Sequence, residues 1–202
     1  MMKKLIFTFA ILCMMCTTMQ SQTDARARGR VLDLKRLYNE ALTHAAAARN
    51  GKDIPREFLT VTFKENHAAT GISTHVVEYY FTNKETGGKP EHHLNLVRHS
   101  WNVGAKAYYQ EFLVEADTAV AFSFYRGPLD NNIQLEERCY YDRGRAVYLV
   151  RSERPQGKAA TETDTEKIDA AKANADIQAV THFAEIFRLV AGQTDAISIV
   201  RK

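Results

Sequence analysis

Between Lys106 and Ser152 the chain alternates apolar and polar residues at period two more persistently than anywhere else in its sequence. Successive side chains of a strand point to opposite faces. Tyr108, Gln110, Phe112 and Val114 therefore share one face, and Tyr109, Glu111, Leu113 and Glu115 the other. Asp117 offers a turn, after which Val120, Phe122 and Phe124 oppose Ala121, Ser123 and Tyr125. Gly127-Pro128 and Asp130-Asn131-Asn132 read as a loop. Ile133, Leu135, Glu137, Cys139 and Tyr141 then alternate with Gln134, Glu136, Arg138 and Tyr140. Gly144 supplies the positive φ of a tight turn, and Val147 and Leu149 return against Tyr148 and Val150. Four strands with short connections predict an antiparallel meander, dry on one face and wet on the other.

The pattern extends in both directions. Leu59, Val61 and Phe63 mark a strand over 57–64, and Val77, Tyr79 and Phe81 a second over 73–82. Asn83 to Pro90, with Gly87-Gly88, reads as a mobile loop, and 93–101 as a further strand. Val31, Leu34, Leu37, Tyr38, Ala41, Leu42 and Ala45 recur at three and four, so 31–49 is an amphipathic helix stopped by Asn50-Gly51. Residues 154–165 are polar and read as a linker. Thr163 and Glu166 match a capping box for a C-terminal helix, with Gly192 as its stop and 196–200 as a short edge strand. Phe183, Ile186, Phe187 and Val190 form that helix's apolar stripe, whereas Lys172 lies in a weakly amphipathic half and is expected to be dispensable. The prediction is one α+β domain over 31–202: a meander sheet of six or seven strands packed by an N-terminal and a C-terminal helix.

Composition changes this picture little. The 202 residues are 45% hydrophobic and 25% charged, ordinary values for a globular chain. With Lys3 and Lys4 set aside, 25 basic residues face 24 acidic ones, which gives no electrostatic footprint for nucleic acid. Those two lysines precede a short apolar run, Leu5 to Met15, and residues 1–21 read as a secretory signal peptide followed by a flexible leader over 22–30. The run is too short to span a bilayer comfortably, so no transmembrane helix is expected in the mature chain. Lipidation on Cys16 is the alternative to a soluble exported form. Export leaves Cys139 alone in the mature chain, without a disulfide partner.

Little in the sequence carries chemistry. Phosphate loops, dinucleotide fingerprints and nucleophile elbows are missing, and Glu136-Glu137 points to opposite faces of one strand. The seven histidines lack metal-ligand spacing. His93 and His99 would stand about 20 Å apart along a strand. No metal and no cofactor is expected. The tyrosine doublets Tyr79-Tyr80, Tyr108-Tyr109 and Tyr140-Tyr141 stand out, because each puts one ring on each face. Tyr80, Tyr108 and Tyr140 beside Arg126 and Arg138 are the candidate ligand-binding set, an aromatic platform with guanidinium groups. Tyrosines also pack across strands for purely structural reasons. The expected function is that of an exported, non-catalytic binding or accessory protein of the bacterial periplasm or cell surface, with a protein, peptide or glycan as partner. The alternative is a small cavity enzyme, a hydrolase or isomerase, with its site between the sheet and the C-terminal helix.

Overall fold

The computed structural model describes the backbone over 2–50, 56–69, 71–87, 89–130, 132–166 and 168–200, and the side chains over 26–50, 57–69, 71–87, 91–130, 132–166 and 168–193. A long helix, α1 (Met2–Arg49), leads into eight strands: β1 (Arg56–His67), β2 (Gly71–Thr86), β3 (Lys89–Val103), β4 (Lys106–Glu115), β5 (Ala119–Pro128), β6 (Ile133–Asp142), β7 (Arg145–Pro155) and β8 (Thr161–Thr165). A second helix, α2 (Ala170–Val200), closes the chain. Each strand pairs antiparallel with the next, so the sheet is an uninterrupted meander in sequence order. The α+β class and the two packing helices are as the pattern predicts.

Several boundaries differ from the expectation, each for a physical reason. The eighth strand lies in the segment read as a linker. Thr161-Glu162-Thr163-Asp164-Thr165 pairs with 149–153 of β7, but both its faces are wet, so it carries no apolar alternation. Thr163 and Thr165 therefore belong to a strand, and α2 is capped instead by Asp169, whose Oδ1 accepts the Ala171 N–H at 2.9 Å. α2 also continues through Gly192 to Val200, in place of a stop and an edge strand. A helical glycine costs only about 1 kcal/mol relative to Ala. The 83–90 loop contracts to a turn, because β2 runs on to Thr86 and β3 begins at Lys89. The supposed leader over 22–30 is helical and part of α1. Arg26 and Arg30 are four apart and so share a helix face: Arg26 reaches Asp142 at 3.3 Å and Arg30 grips Glu115 at 2.7 Å. The signal segment 1–21 and Cys16 lie outside the residues whose side chains are described. Among the described residues, no helix is long and apolar enough to cross a membrane.

The two helices pack on opposite faces of the sheet. α1 lays Val31, Leu34 and Ala45 on Tyr80, Leu96, Leu113, Phe122, Tyr140 and Val150. α2 lays Val180, Phe183, Ala184, Phe187 and Ala191 on Val77, Tyr79, Phe81, Val97, Phe112, Cys139 and Tyr141. The middle of the sheet is thus dry on both sides, which accounts for the consecutive buried run Glu111 to Val114. Each helix is also pinned by one buried carboxylate. On α2, Asp176 accepts Ser123 Oγ at 2.5 Å, Tyr141 Oη at 2.6 Å and Lys172 Nζ at 2.7 Å. On the other face Glu111 accepts Tyr38 Oη of α1, Tyr109 Oη, and Arg98 Nε at 2.8 Å.

These contacts set the stability of α2. Phe187 is 2% exposed, and truncating a buried Phe typically costs about 3–5 kcal/mol. Phe187→Ala is expected to lower the melting temperature sharply. Lys172→Ala, which helical periodicity alone marks as silent, is expected to cost on the order of 1–3 kcal/mol, because it strips a charge partner from the buried Asp176. Thermal melts of both variants against the native chain check the pair. A neutral Lys172→Ala would count against the Asp176 anchor.

Candidate binding surface

Antiparallel register carries single positions across the sheet. On the face that α2 packs against, Phe63 pairs with His75, His75 with Trp101, and Trp101 with Tyr108. All four side chains lie to one side of α2, on the part of the face it leaves uncovered. Their rings stand upright and nearly parallel. Phe63 and His75 are 4.5 Å apart at 12°, and Trp101 and Tyr108 are 5.1 Å apart at 10°. The spacing follows from the sheet itself, since neighbouring strands lie about 4.8 Å apart. His99, one position off this row, fills the middle: it stacks on Trp101 at 4.5 Å and meets Phe183 of α2 edge-on at 5.3 Å.

The row ends at Gly127, where any side chain would force Tyr108 and Tyr125 to move. A Cβ there would sit 2.8 Å from Tyr108 Cδ1 and 2.9 Å from Tyr125 Cζ. The absent side chain makes room for the two tyrosines to close the row on the β5 side. The sequence reads Gly127 as a loop residue; it lies in β5 and pairs with Leu135.

His75 and His99 form a hydrogen-bonded pair, with Nδ1 of His75 3.1 Å from Nε2 of His99. Ring centroids 5.3 Å apart at 21° fit two imidazoles lying side by side and sharing one proton in their common plane. Ser73 fixes the tautomers. Its hydroxyl donates to the Asn102 carbonyl, so its oxygen accepts the His75 Nε2–H at 3.1 Å. Nδ1 of His75 is then the acceptor and Nε2–H of His99 the donor. That leaves Nδ1 of His99 a buried lone pair with no partner. Burial, with His75 alongside, pushes the His99 imidazole down to about 4. Ser73 is not a nucleophile here: it is 1% exposed and its proton is committed to backbone.

The sequence-predicted tyrosine–arginine set divides between the faces. Tyr80 and Tyr140 lie on the α1 face but are buried beneath that helix. Tyr108 lies on the opposite face, in the ring row. The doublet partner Tyr109 is the one that shares a face with Arg126, which stacks over its ring at 5.4 Å. Arg138 on the same face leans on Glu136 at 3.6 Å and Glu162 at 3.5 Å. Arg98 covers the Tyr80 ring at 5.3 Å, and Arg49 pairs with Glu78. Burial raises the Glu111 carboxyl to about 7, with the charge of Arg126 opposing. This half of the α1 face is thus a lattice of paired charges about Glu111. The signal that separates the two sets is strand register, which a single sequence does not carry.

Other groups have structural roles. Cys139 is fully buried and its thiol is pushed up to about 11 by burial, so it is no nucleophile. His93 lies beside Asp117 at 3.2 Å, and His92 beside Asn83 at 2.6 Å. Among the described residues, no cluster of three or more His, Cys, Asp or Glu could hold a metal ion. A cleft of about 240 Å³ lies under α1, lined by Glu40, His44, Glu57 and Asn95 over an apolar floor that includes Leu96 and Leu113. The register shifts at Tyr80/Phe81 and Leu113/Val114 border it. Comparison with protein-family models, with curated proteins and with solved structures finds no match for this chain.

The imidazole pair gives the fold an acid sensitivity with a defined sign. His99 holds a proton less readily in the fold than in the unfolded chain, where its value is about 6.5. The unfolded state therefore binds more protons between those values, and stability is lost as pH falls from about 6.5 to about 4. The loss attributable to this group is about 3 kcal/mol. Denaturant unfolding of the native chain and of His99→Phe across this window is expected to show a shallower pH slope for the variant. Equal slopes would remove His99 from the account.

Proposed function

We propose that this is an exported, non-catalytic binding or accessory protein of the bacterial periplasm or cell surface, and that it takes its ligand on the uncovered aromatic half of the α2 face. The observation that carries the reading is the row Phe63–His75–Trp101–Tyr108, which leaves Trp101 and Tyr108 partly open to solvent. Partly exposed aromatic rings with polar tips are the side chains recognition surfaces favour. Beside the row, Gln110, Tyr125, Glu137 and Arg151 follow one another across β4 to β7 and supply donors and acceptors. Apolar ring edges next to such a polar row suit a ligand with hydroxyl or amide groups along an extended chain, a glycan or a peptide. The export part of the reading rests on residues 1–21, with Lys3 and Lys4 ahead of the apolar run.

A small cavity enzyme has one observation in its favour, the cleft under α1 with Glu40, His44 and Glu57 at its wall. Its carboxylates are partly engaged: Glu40 pairs with Arg36 at 2.7 Å and Glu115 with Arg30.

Trp101 is the single tryptophan of the chain, so its emission reports directly on the proposed surface. Titration with soluble neutral oligosaccharides and short polar peptides is expected to shift or quench that emission for at least one of them. Tyr108→Ala is expected to weaken that binding about tenfold, the equivalent of roughly 1.4 kcal/mol. Binding that leaves Trp101 emission unmoved and tolerates Tyr108→Ala would place the ligand elsewhere.

A further inference from the structure

The two edges of the sheet are built differently. β8 is five residues long and carries Glu162 and Asp164, the short and charged form in which edges avoid pairing. β1 is twelve residues long, runs without a register shift against β2, and carries Phe58, Leu59, Val61 and Phe63. Phe58 and Phe63 are 42% and 38% exposed, one on each face. Phe63 is also the open end of the ring row: His75 covers one side of its ring, and the other looks past the sheet edge.

We infer that β1 pairs antiparallel with β1 of a second copy of this chain, about a two-fold axis at Phe63. A two-fold axis normal to the sheet keeps each face continuous, so it must pair residues of equal parity, and the choice of centre can be tested against charge. An axis at Lys64 or Glu65 sets a charge against itself, and an axis at Val61 sets Glu57 against Glu65. An axis at Thr62 opposes no like charges but places Phe63 against Val61, which breaks the ring row. The axis at Phe63 pairs Val61 with Glu65, Thr62 with Lys64, Thr60 with Asn66 and Leu59 with His67, with no like charges opposed. It also sets Phe63 against its own copy, so the row runs Tyr108–Trp101–His75–Phe63 and back through the same four rings of the partner. Directly opposed side chains on a sheet lie about 4.5–5.5 Å apart at Cβ, close enough for the two rings to pack. Nine residues of each β1, 59–67, take part, and the edge left open on the single chain becomes an interior position of a sixteen-stranded sheet.

The test is the mass of the full chain in solution. Sedimentation over a range of concentrations is expected to show a monomer–dimer equilibrium. Phe63→Glu, which places two carboxylates across the axis, is expected to give monomer at every concentration with native circular dichroism. Phe63→Cys is expected to form a disulfide-linked dimer under mild oxidation. Thr60→Cys is not, because its two copies lie roughly 20 Å apart along the strands. A native chain that stays monomeric, or a dimer that survives Phe63→Glu, would overturn the inference. Neither readout involves Trp101 emission, so this test and that of ligand binding fail independently.

Discussion

A helix on each face of one sheet is the constraint from which the rest of this structure follows. A strand with one wet face needs an apolar residue only at alternate positions. Where α1 and α2 lie back to back, every position is dry, and Glu111 to Val114, Val120 to Ser123 and Cys139 to Tyr141 are buried without interruption. A carboxylate caught in that zone needs partners, because an unpartnered buried carboxylate costs several kcal/mol. Among the described residues the buried carboxylates are Asp176 and Glu111, and they answer to each other across the sheet. Asp176 comes from α2 and is met by sheet hydroxyls; Glu111 comes from the sheet and is met by a hydroxyl of α1. Each fixes the sliding position of one helix, which apolar contact alone would leave loosely specified.

Outside the covered zone the two faces diverge. The α1 side is filled by charges that satisfy one another: Arg98 with Glu111, Arg49 with Glu78, Arg138 with Glu136 and Glu162. Charges already paired in this way have little left to offer a ligand. The α2 side holds a row of rings with Glu137 and Arg151 paired beside it, and its two histidines, His75 and His99, are joined by a hydrogen bond in a chain that begins at Ser73. A row of partly open rings beside a single polar row is the unusual feature, and for that reason it carries the functional reading.

The sequence made the elements legible and the faces only partly so. The meander from Lys106 to Ser152 and both apolar helix stripes are written in local periodicity, which survives folding. The tyrosine doublets each present both faces, so which ring joins which row depends on register. The shifts at Tyr80/Phe81, Leu113/Val114 and Tyr140/Tyr141 each change the phase once. Tyr109 rather than Tyr108 thereby joins Arg126. The polar eighth strand was illegible for the opposite reason: an edge strand wet on both sides has no alternation to read. The arginines at 26 and 30 read as a leader because their partners, Asp142 at the end of β6 and Glu115 at the end of β4, lie far away in sequence.

The ring row joins these themes. Its phase is set by the unshifted register of β1 through β4 below Tyr80, so Phe63, His75, Trp101 and Tyr108 stay aligned across four strands. Its closed end is set by Gly127, where a side chain would drive into Tyr108 and Tyr125. Its interior is held by an imidazole pair whose last lone pair finds no donor, a small penalty that persists because stacking on Trp101 and contact with Phe183 hold His99 in place. A stack of this kind gains from each added ring and has no internal reason to stop. It stops at β5 because Gly127 ends it, and at β1 because the sheet does, so among the described rings of the row the outer face of Phe63 is where the same interaction remains available to another molecule.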